Sequence, residues 1–112
     1  DLVVFGFCLC WIERQSLFRS ISEADRVLKD RGLLAIIDFD PCGPYSNSYR
    51  HKEDLKTYKT NYSDIFISSH HYSLMYKHSF SHSDTYFNEK IDERTSLSLL
   101  FKQENEVYFQ HN

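Results

Sequence analysis

The sequence predicts an α/β protein, because two apolar runs of strand character flank one amphipathic helix. The first run, Leu2 to Cys10, is almost unbroken, which is typical of a strand buried on both faces. The helix is indicated by apolar residues that recur every three or four positions, namely Leu17, Ile21, Ala24 and Leu28. Gly32 is a typical helix stop, and the second apolar run, Leu33 to Ile37, follows it. Strand, helix and strand with short links form a βαβ unit, whose strands are parallel.

The second half of the chain predicts one more helix and two more strands. A turn-rich loop occupies residues 41–50, and we predict a helix over Lys52 to Phe66. His70 to Phe80 reads as a strand with Tyr72, Leu74 and Tyr76 on one face, and Thr95 to Lys102 alternates as a second strand. The expected fold has about four strands and two helices in a single domain over residues 1–112.

Composition narrows the class of protein. The chain has 112 residues, 41% hydrophobic and 26% charged, which indicates one soluble globular domain. A formal net charge of -3 makes no basic field, so we expect no nucleic-acid partner. The apolar run near the start is interrupted at Glu13, too early to span a bilayer, so we expect no membrane partner. Three cysteines, an odd number, favour a reducing compartment, and we predict a cytoplasmic protein.

Three stretches of the chain carry a family resemblance. DLVVFGFCLCW, then EADRVLKDRG, then LLAIIDFD, together resemble the C-terminal half of class I S-adenosylmethionine-dependent methyltransferases. The helix of that family often ends in a pattern like RVLKPGG. Five positions match it, namely Arg26, Val27, Leu28, Lys29 and Gly32. Asp30 and Arg31 replace the usual Pro-Gly and leave the turn intact.

The resemblance implies a partial Rossmann-like methyltransferase sheet. Its strand order is first, second, fourth, third. The last strand in sequence is antiparallel and is inserted between the second and the third. The family's glycine-rich turn and ribose-binding acid belong to its N-terminal half, and the three glycines Gly6, Gly32 and Gly43 form no GxG. We therefore expect a fragment without the N-terminal cofactor-binding half, inactive by itself.

The same resemblance implies a set of site residues for methyl transfer to a small-molecule acceptor that the sequence does not identify. S-adenosylmethionine, the cofactor of the complete enzyme, would lie against Gly6, Phe7, Cys8 and Leu9. The catalytic candidates are Asp38, Asp40 and His51. The substrate-binding candidates are Phe39, Tyr49 and Tyr58.

Each of these residue types also has an ordinary structural use. Phe5 to Leu9 is equally consistent with plain core, and Gly6 with a bulge. Solvated carboxylates at a strand end, or carboxylates that cap backbone groups, would account for Asp38 and Asp40 as well as an acid pair would. If Cys8 and Cys10 are buried in the strand, they are expected to be inert small hydrophobic residues, as buried cysteines usually are. The histidines lack the spacing of known metal sites, so we predict no metal; they are His70, His71, His78 and His82.

Two other functions stay open. A half-fold that has lost catalysis would serve as a binding or dimerisation module, and a βαβ unit also occurs in nucleotide-dependent oxidoreductases. In the methyltransferase family, the strand at residues 2–10 pairs with a strand that this sequence lacks. Its free edge is apolar and unprotected, so we predict a homodimer through this strand.

Overall fold

The structure is a computed structural model that describes residues 1–48, 55–105 and 108. The strands within these residues are β1 (Leu2–Gly6), β2 (Leu33–Phe39), β3 (Tyr45–Ser48), β4 (Lys56–Lys59), β5 (Tyr72–Ser81) and β6 (Arg94–Lys102). The helices are α1 (Leu17–Val27) and α2 (Ser63–Ile67). Two 3-10 turns, Leu9–Trp11 and Arg14–Ser16, connect β1 to α1.

The main sheet has four strands in the order β1-β2-β6-β5. β1 and β2 are parallel, whereas β6 runs antiparallel to both of its neighbours, β2 and β5. β3 and β4 pair as a separate two-stranded antiparallel sheet. The predicted α/β class with a mixed four-stranded sheet is confirmed, and the last strand is antiparallel and inserted as expected.

Gly32 ends the link between α1 and β2, where the backbone passes close to the helix end. A Cβ atom at this position would lie 2.6 Å from Leu28 Cδ1 and 2.8 Å from the Lys29 carbonyl oxygen. The preceding residue, Arg31, adopts a left-handed conformation with φ 69°. A larger residue at Gly32 would therefore have to displace the end of the helix, which explains the glycine that the sequence places there.

Both helices pack against one face of the main sheet and form the core there. Leu34 and Ile36 of β2 contact this core together with Leu17 of α1 and Phe66 of α2. The opposite face carries a row of paired residues, Val4–Ala35–Leu99–Tyr76, that crosses all the strands. At its two ends, Val4 is 52% exposed and Tyr76 is 54% exposed. The apolar surface of this sheet is therefore divided between a buried face and a partly open one.

A buried lysine attaches the end of α1 to β6. Lys102 is 3% exposed, and its Nζ donates hydrogen bonds of 2.7 Å to the backbone carbonyl oxygens of Asp25 and Leu28. The same ammonium lies 3.1 Å from the Asp25 carboxylate. A cation at the C-terminus of a helix satisfies carbonyl groups that have no partner within the helix. The βαβ unit is thus held to the inserted strand by polar contacts as well as by packing.

The helix predicted over Lys52 to Phe66 is wrong for most of its described length. Lys56–Lys59 is strand β4, paired with Tyr45–Ser48, and only Ser63–Ile67 is helical. Residues 52–54 lie outside the described part. The apolar residues that favoured a long helix have different positions: Phe66 of α2 and Tyr62, directly before α2, pack in the core, while Tyr58 lies on β4.

Two predicted strands also differ in detail. The first strand ends at Gly6 rather than at residue 10, because Phe7 has a positive φ of 49° and Leu9–Trp11 forms a 3-10 turn. In β5 the pairing shifts between Leu74 and Tyr76, so these two residues lie on opposite faces. A bulge at Met75 therefore breaks the alternation that the sequence indicates.

No helix in the described part of the chain has the length and apolar character needed to cross a membrane.

Candidate functional site

The candidate site lies at the carboxyl ends of the parallel strands β1 and β2, where ligands bind in open α/β sheets. Gly6 is exposed at the end of β1, and no heavy atom lies within 4 Å of the place where its Cβ would be. The next residue, Phe7, turns the chain out of the strand in a left-handed conformation, φ 49°, while its N–H donates to the Ile37 carbonyl oxygen at 2.7 Å. The turn after β1 is thus anchored to β2 and leaves an open backbone at Gly6.

Three rings cluster above this turn. Phe7 and Phe39 come from the ends of β1 and β2, and His82 comes from the end of β5. The ring centroids are 5.8 Å apart for Phe7 and Phe39, 5.7 Å for Phe7 and His82, and 5.5 Å for Phe39 and His82. Such spacings are those of favourable aromatic pairs. This aromatic cluster brings together Phe7 and Phe39, which the sequence predicts for the site, and His82, which it does not.

The cysteines near the site have different surroundings. Cys8 is exposed, whereas Leu9 and Cys10 are fully buried in the following turn. Burial, together with the neighbouring Asp38, raises the pKa of the Cys10 thiol to about 12. Cys10 therefore stays protonated at neutral pH and is not a nucleophile, as expected for a buried structural cysteine.

Asp38 is buried rather than solvated. Its side chain accepts hydrogen bonds from the backbone N–H of Phe39 at 2.8 Å and of Cys10 at 3.3 Å, and the residue is only 3% exposed. Burial raises the pKa of Asp38, while these hydrogen bonds oppose the rise. Of the two ordinary uses expected for this residue, a solvated carboxylate is wrong, whereas a carboxylate that caps backbone N–H groups agrees with these bonds, which tie the turn after β1 to the end of β2.

Asp40 lies beyond β2 and makes an ion pair across the sheet. Its carboxylate is 3.1 Å from Nζ of Lys77 on β5, and the Asp40 side chain is 14% exposed. The backbone N–H of Asp40 also donates to the Arg94 carbonyl oxygen at 2.9 Å. Asp40 is therefore held in place at the strand end, and its carboxylate has a cationic partner that the sequence did not indicate.

A cavity of about 310 Å³ lies away from this edge, between α1, α2 and the start of β5. Its walls include Phe18, Ile21 and Phe66, and Asp25 lies at its polar side. The Asp25 carboxylate is already bonded to Tyr72 and to Lys102.

A smaller cavity of about 270 Å³ opens beside the candidate site, between the Arg14 turn and the β3–β4 hairpin. We call it the Lys59 cavity, and it is lined by Arg14, Pro44, Tyr45, Ser46, Tyr58, Lys59 and Thr60. Nη2 of Arg14 donates to the carbonyl oxygens of Leu9 at 3.1 Å and Ile12 at 2.6 Å. Its guanidinium lies 4.2 Å from the centre of the Tyr58 ring. The cavity is therefore joined directly to the end of the turn after β1.

The structure brings together most of the residues that the sequence predicts for the site. Gly6, Phe7, Cys8, Leu9, Asp38, Phe39 and Asp40 lie at one edge of the main sheet, and Tyr58 lies in the adjoining cavity. Tyr49 and His51 lie outside the described residues. The sequence did not indicate Arg14, Tyr45, Lys59 or Lys77, because isolated charged and aromatic residues carry no periodic signal.

Among the described residues, no three histidine, cysteine or acidic side chains gather into a group able to hold a metal ion. Comparison of the chain with family models, with curated proteins and with solved structures finds no match.

Proposed function

We propose that this chain is the C-terminal half of a class I S-adenosylmethionine-dependent methyltransferase of Rossmann-like fold. The observation that supports it most is the strand order β1-β2-β6-β5, with β1 and β2 parallel and β6 inserted antiparallel. This is the order that the family resemblance of the sequence implies. The apolar periodicity of the strands does not by itself require β6 to lie between β2 and β5, because strands that follow each other in sequence are usually neighbours in a sheet.

The backbone at Gly6 to Leu9 fits the methionine end of the cofactor. Close approach of a ligand to a backbone requires open space, and Gly6 supplies it because nothing lies within 4 Å of its Cβ position. When bound, S-adenosylmethionine supplies a methyl group that is already activated on a sulfonium. The exposed Gly6 and Cys8 are the residues of this turn that such a ligand would meet. Leu9, which is 0% exposed, anchors the turn in the core.

Methyl transfer from an activated donor depends mainly on holding the acceptor in line. The aromatic cluster of Phe7, Phe39 and His82 would form one wall of the acceptor site near the carboxyl ends of the strands. Asp40 is the described carboxylate best placed to receive a proton from an acceptor, since Asp38 is buried and bonded to two backbone N–H groups. His51 stays a catalytic candidate, and Tyr49 a substrate-binding candidate, from the sequence alone.

Methyltransferase activity requires the family's glycine-rich turn and ribose-binding acid. Residues 1–112 contain neither of them, so the proposed activity is that of a longer polypeptide. We therefore expect calorimetry on this chain to detect no S-adenosylmethionine binding in the low micromolar range. A dissociation constant of ~1 μM, or about -8 kcal/mol, would contradict that expectation, since it requires a nearly complete site.

Amide NMR spectroscopy with S-adenosylhomocysteine at millimolar concentration tests the proposal on the chain itself. We expect weak binding with shifts confined to Gly6–Leu9 and the neighbouring strand ends. NADH is the matched comparison, because it tests the oxidoreductase alternative. Shifts from NADH at these residues, with none from S-adenosylhomocysteine, would overturn the proposed function.

A further inference from the structure

The Lys59 cavity contains a lysine that is buried without a carboxylate partner among the described residues. Lys59 is 8% exposed and lines the cavity. Its Nζ lies 4.0 Å from the centre of the Phe39 ring and 5.6 Å from that of Tyr45. Ring faces stabilise an ammonium ion but do not neutralise its charge as a carboxylate would. A buried cation in this condition favours the binding of an anion.

Lys59 has both a second cation and two carboxylates in its neighbourhood. Arg14 contributes a second cation, whose Nε is buried without a hydrogen-bond partner among the described residues. Asp38 and Asp92 are close enough to Lys59 for its charge to favour their ionised forms, yet neither makes an ion pair with it. The Asp92 carboxylate accepts a hydrogen bond from the Tyr45 hydroxyl at 2.8 Å. The acids near the cavity are therefore already bonded elsewhere.

The size and walls of the cavity restrict the ligand. A volume of about 270 Å³ is at the small end of ligand pockets, which excludes a folded partner and favours a small molecule. Tyr45, Tyr58 and Pro44 provide flat apolar walls around the two cations. An apolar or aromatic body with one negative group matches both features.

We propose that the Lys59 cavity binds a small organic acid through its carboxylate, with Lys59 and Arg14 holding the charge. The cavity adjoins the candidate site, since Arg14 is bonded to the Leu9 carbonyl oxygen at 3.1 Å and Lys59 lies on the Phe39 ring. Phe39 in turn packs on Phe7 at 5.8 Å. The cavity ligand is then the methyl acceptor, an identification that rests on the proposed function, whereas binding of the acid does not.

Titration of the chain with benzoate and with benzamide, its neutral counterpart of similar shape, tests the proposal. We expect amide shifts at Tyr58, Lys59 and Thr60, with benzoate binding at least about tenfold more tightly than benzamide. Inorganic phosphate tests charge without an apolar body, and we expect it to bind more weakly than benzoate. Equal affinity for benzoate and benzamide would overturn the role of the cations, and equal affinity for phosphate and benzoate would overturn that of the walls.

Two lysines on β4 give a matched pair of variants. Lys59→Gln should weaken benzoate binding and narrow its advantage over benzamide, with Arg14 left as the remaining cation, whereas Lys56→Gln, at an exposed position of the same strand, should leave benzoate affinity unchanged. Melting temperature shows whether Lys59→Gln still folds, and the wild-type comparison of ligands stands if it does not. Because no cofactor is present, failure of this experiment leaves the proposed function untouched, and failure of the S-adenosylhomocysteine titration leaves the acid site untouched.

Discussion

The backbone N–H of Cys10 donates a hydrogen bond to the carboxylate of Asp38 over 3.3 Å, across 28 residues of sequence. A second backbone N–H, that of Phe39, reaches the same carboxylate at 2.8 Å. Asp38 therefore fixes the turn after β1 relative to the end of β2. Gly6 and Phe7, the open part of the candidate site, lie directly before this fixed turn.

Asp38→Asn should destabilise the fold, because the amide replaces one acceptor oxygen by an NH₂ group that faces a backbone donor. We expect a loss of ~1–3 kcal/mol in the free energy of unfolding, measured by urea denaturation. Asp64→Asn is the control, since Asp64 is an exposed residue of α2 with one weak side-chain partner, Asn61, at 3.3 Å. Equal unfolding free energies for the two variants would show that the Asp38 carboxylate does not hold the turn.

Asp25 should make stability depend on pH. Burial alone raises its pKa, but hydrogen bonds from Tyr72 and Lys102 outweigh this and hold the pKa of Asp25 below its ordinary value of 3.8. A carboxyl with a lowered folded pKa contributes stability above its unfolded pKa and loses that contribution as the pH falls through the folded pKa.

Asp25→Asn should therefore be less stable than the wild type at neutral pH, and the difference should shrink below about pH 3.8. Unfolding followed by Trp11 fluorescence at a series of pH values measures this difference. Glu23→Gln is the control, because the ion pair of Glu23 with Arg26 on the same helix is exposed and should change stability little. A difference that stays constant or widens on acidification would contradict the role of the Tyr72–Asp25–Lys102 contacts.

The edge of β1 should make the chain associate. Within the described residues β1 pairs only with β2, and Leu2 and Val4 are 59% and 52% exposed. An apolar strand edge without charge or proline is a template for another chain. We expect light scattering at micromolar concentration to show a dimer, whereas a single species of 13.4 kDa would exclude pairing through this edge.

Val4→Lys places a charge on that strand and should shift the chain towards the monomer. Val27→Lys is its matched control, since Val27 is 56% exposed but lies on α1, away from the edge. Dissociation by both variants alike would indicate a general effect of added charge and not a β1 interface. A dimer that persists in Val4→Lys would favour another surface.

The βαβ unit could be predicted from the sequence because each of its elements has a clear local pattern of apolar residues or a glycine stop. The apolar stripe of α1, the stop at Gly32 and the run in β2 all depend on neighbours within a few residues. The two strands β5 and β6 were also recognisable from their composition. The order of the sheet was not available from these patterns, and only the family resemblance indicated it.

The hairpin and the Lys59 cavity were missed for a physical reason. Lys56–Lys59 becomes a strand by pairing with Tyr45–Ser48, and pairing with a second segment leaves no signal in the spacing of so short a strand itself. Charged residues such as Arg14 and Lys59 are exposed by default, so the burial of Lys59 and the position of Arg14 over a tyrosine ring are not visible in the sequence. The same applies to Lys102, which is buried under α1.

Gly6→Val tests the proposed methyltransferase site most directly. Because no heavy atom lies within 4 Å of the Cβ position, we expect the variant to fold with an unchanged melting temperature. A side chain there would occupy the space through which a ligand approaches the backbone. We expect S-adenosylhomocysteine to shift the amides of Gly6–Leu9 in the wild type and to leave them unshifted in Gly6→Val. Identical shifts in both proteins, or shifts in neither, would contradict a cofactor site at the end of β1.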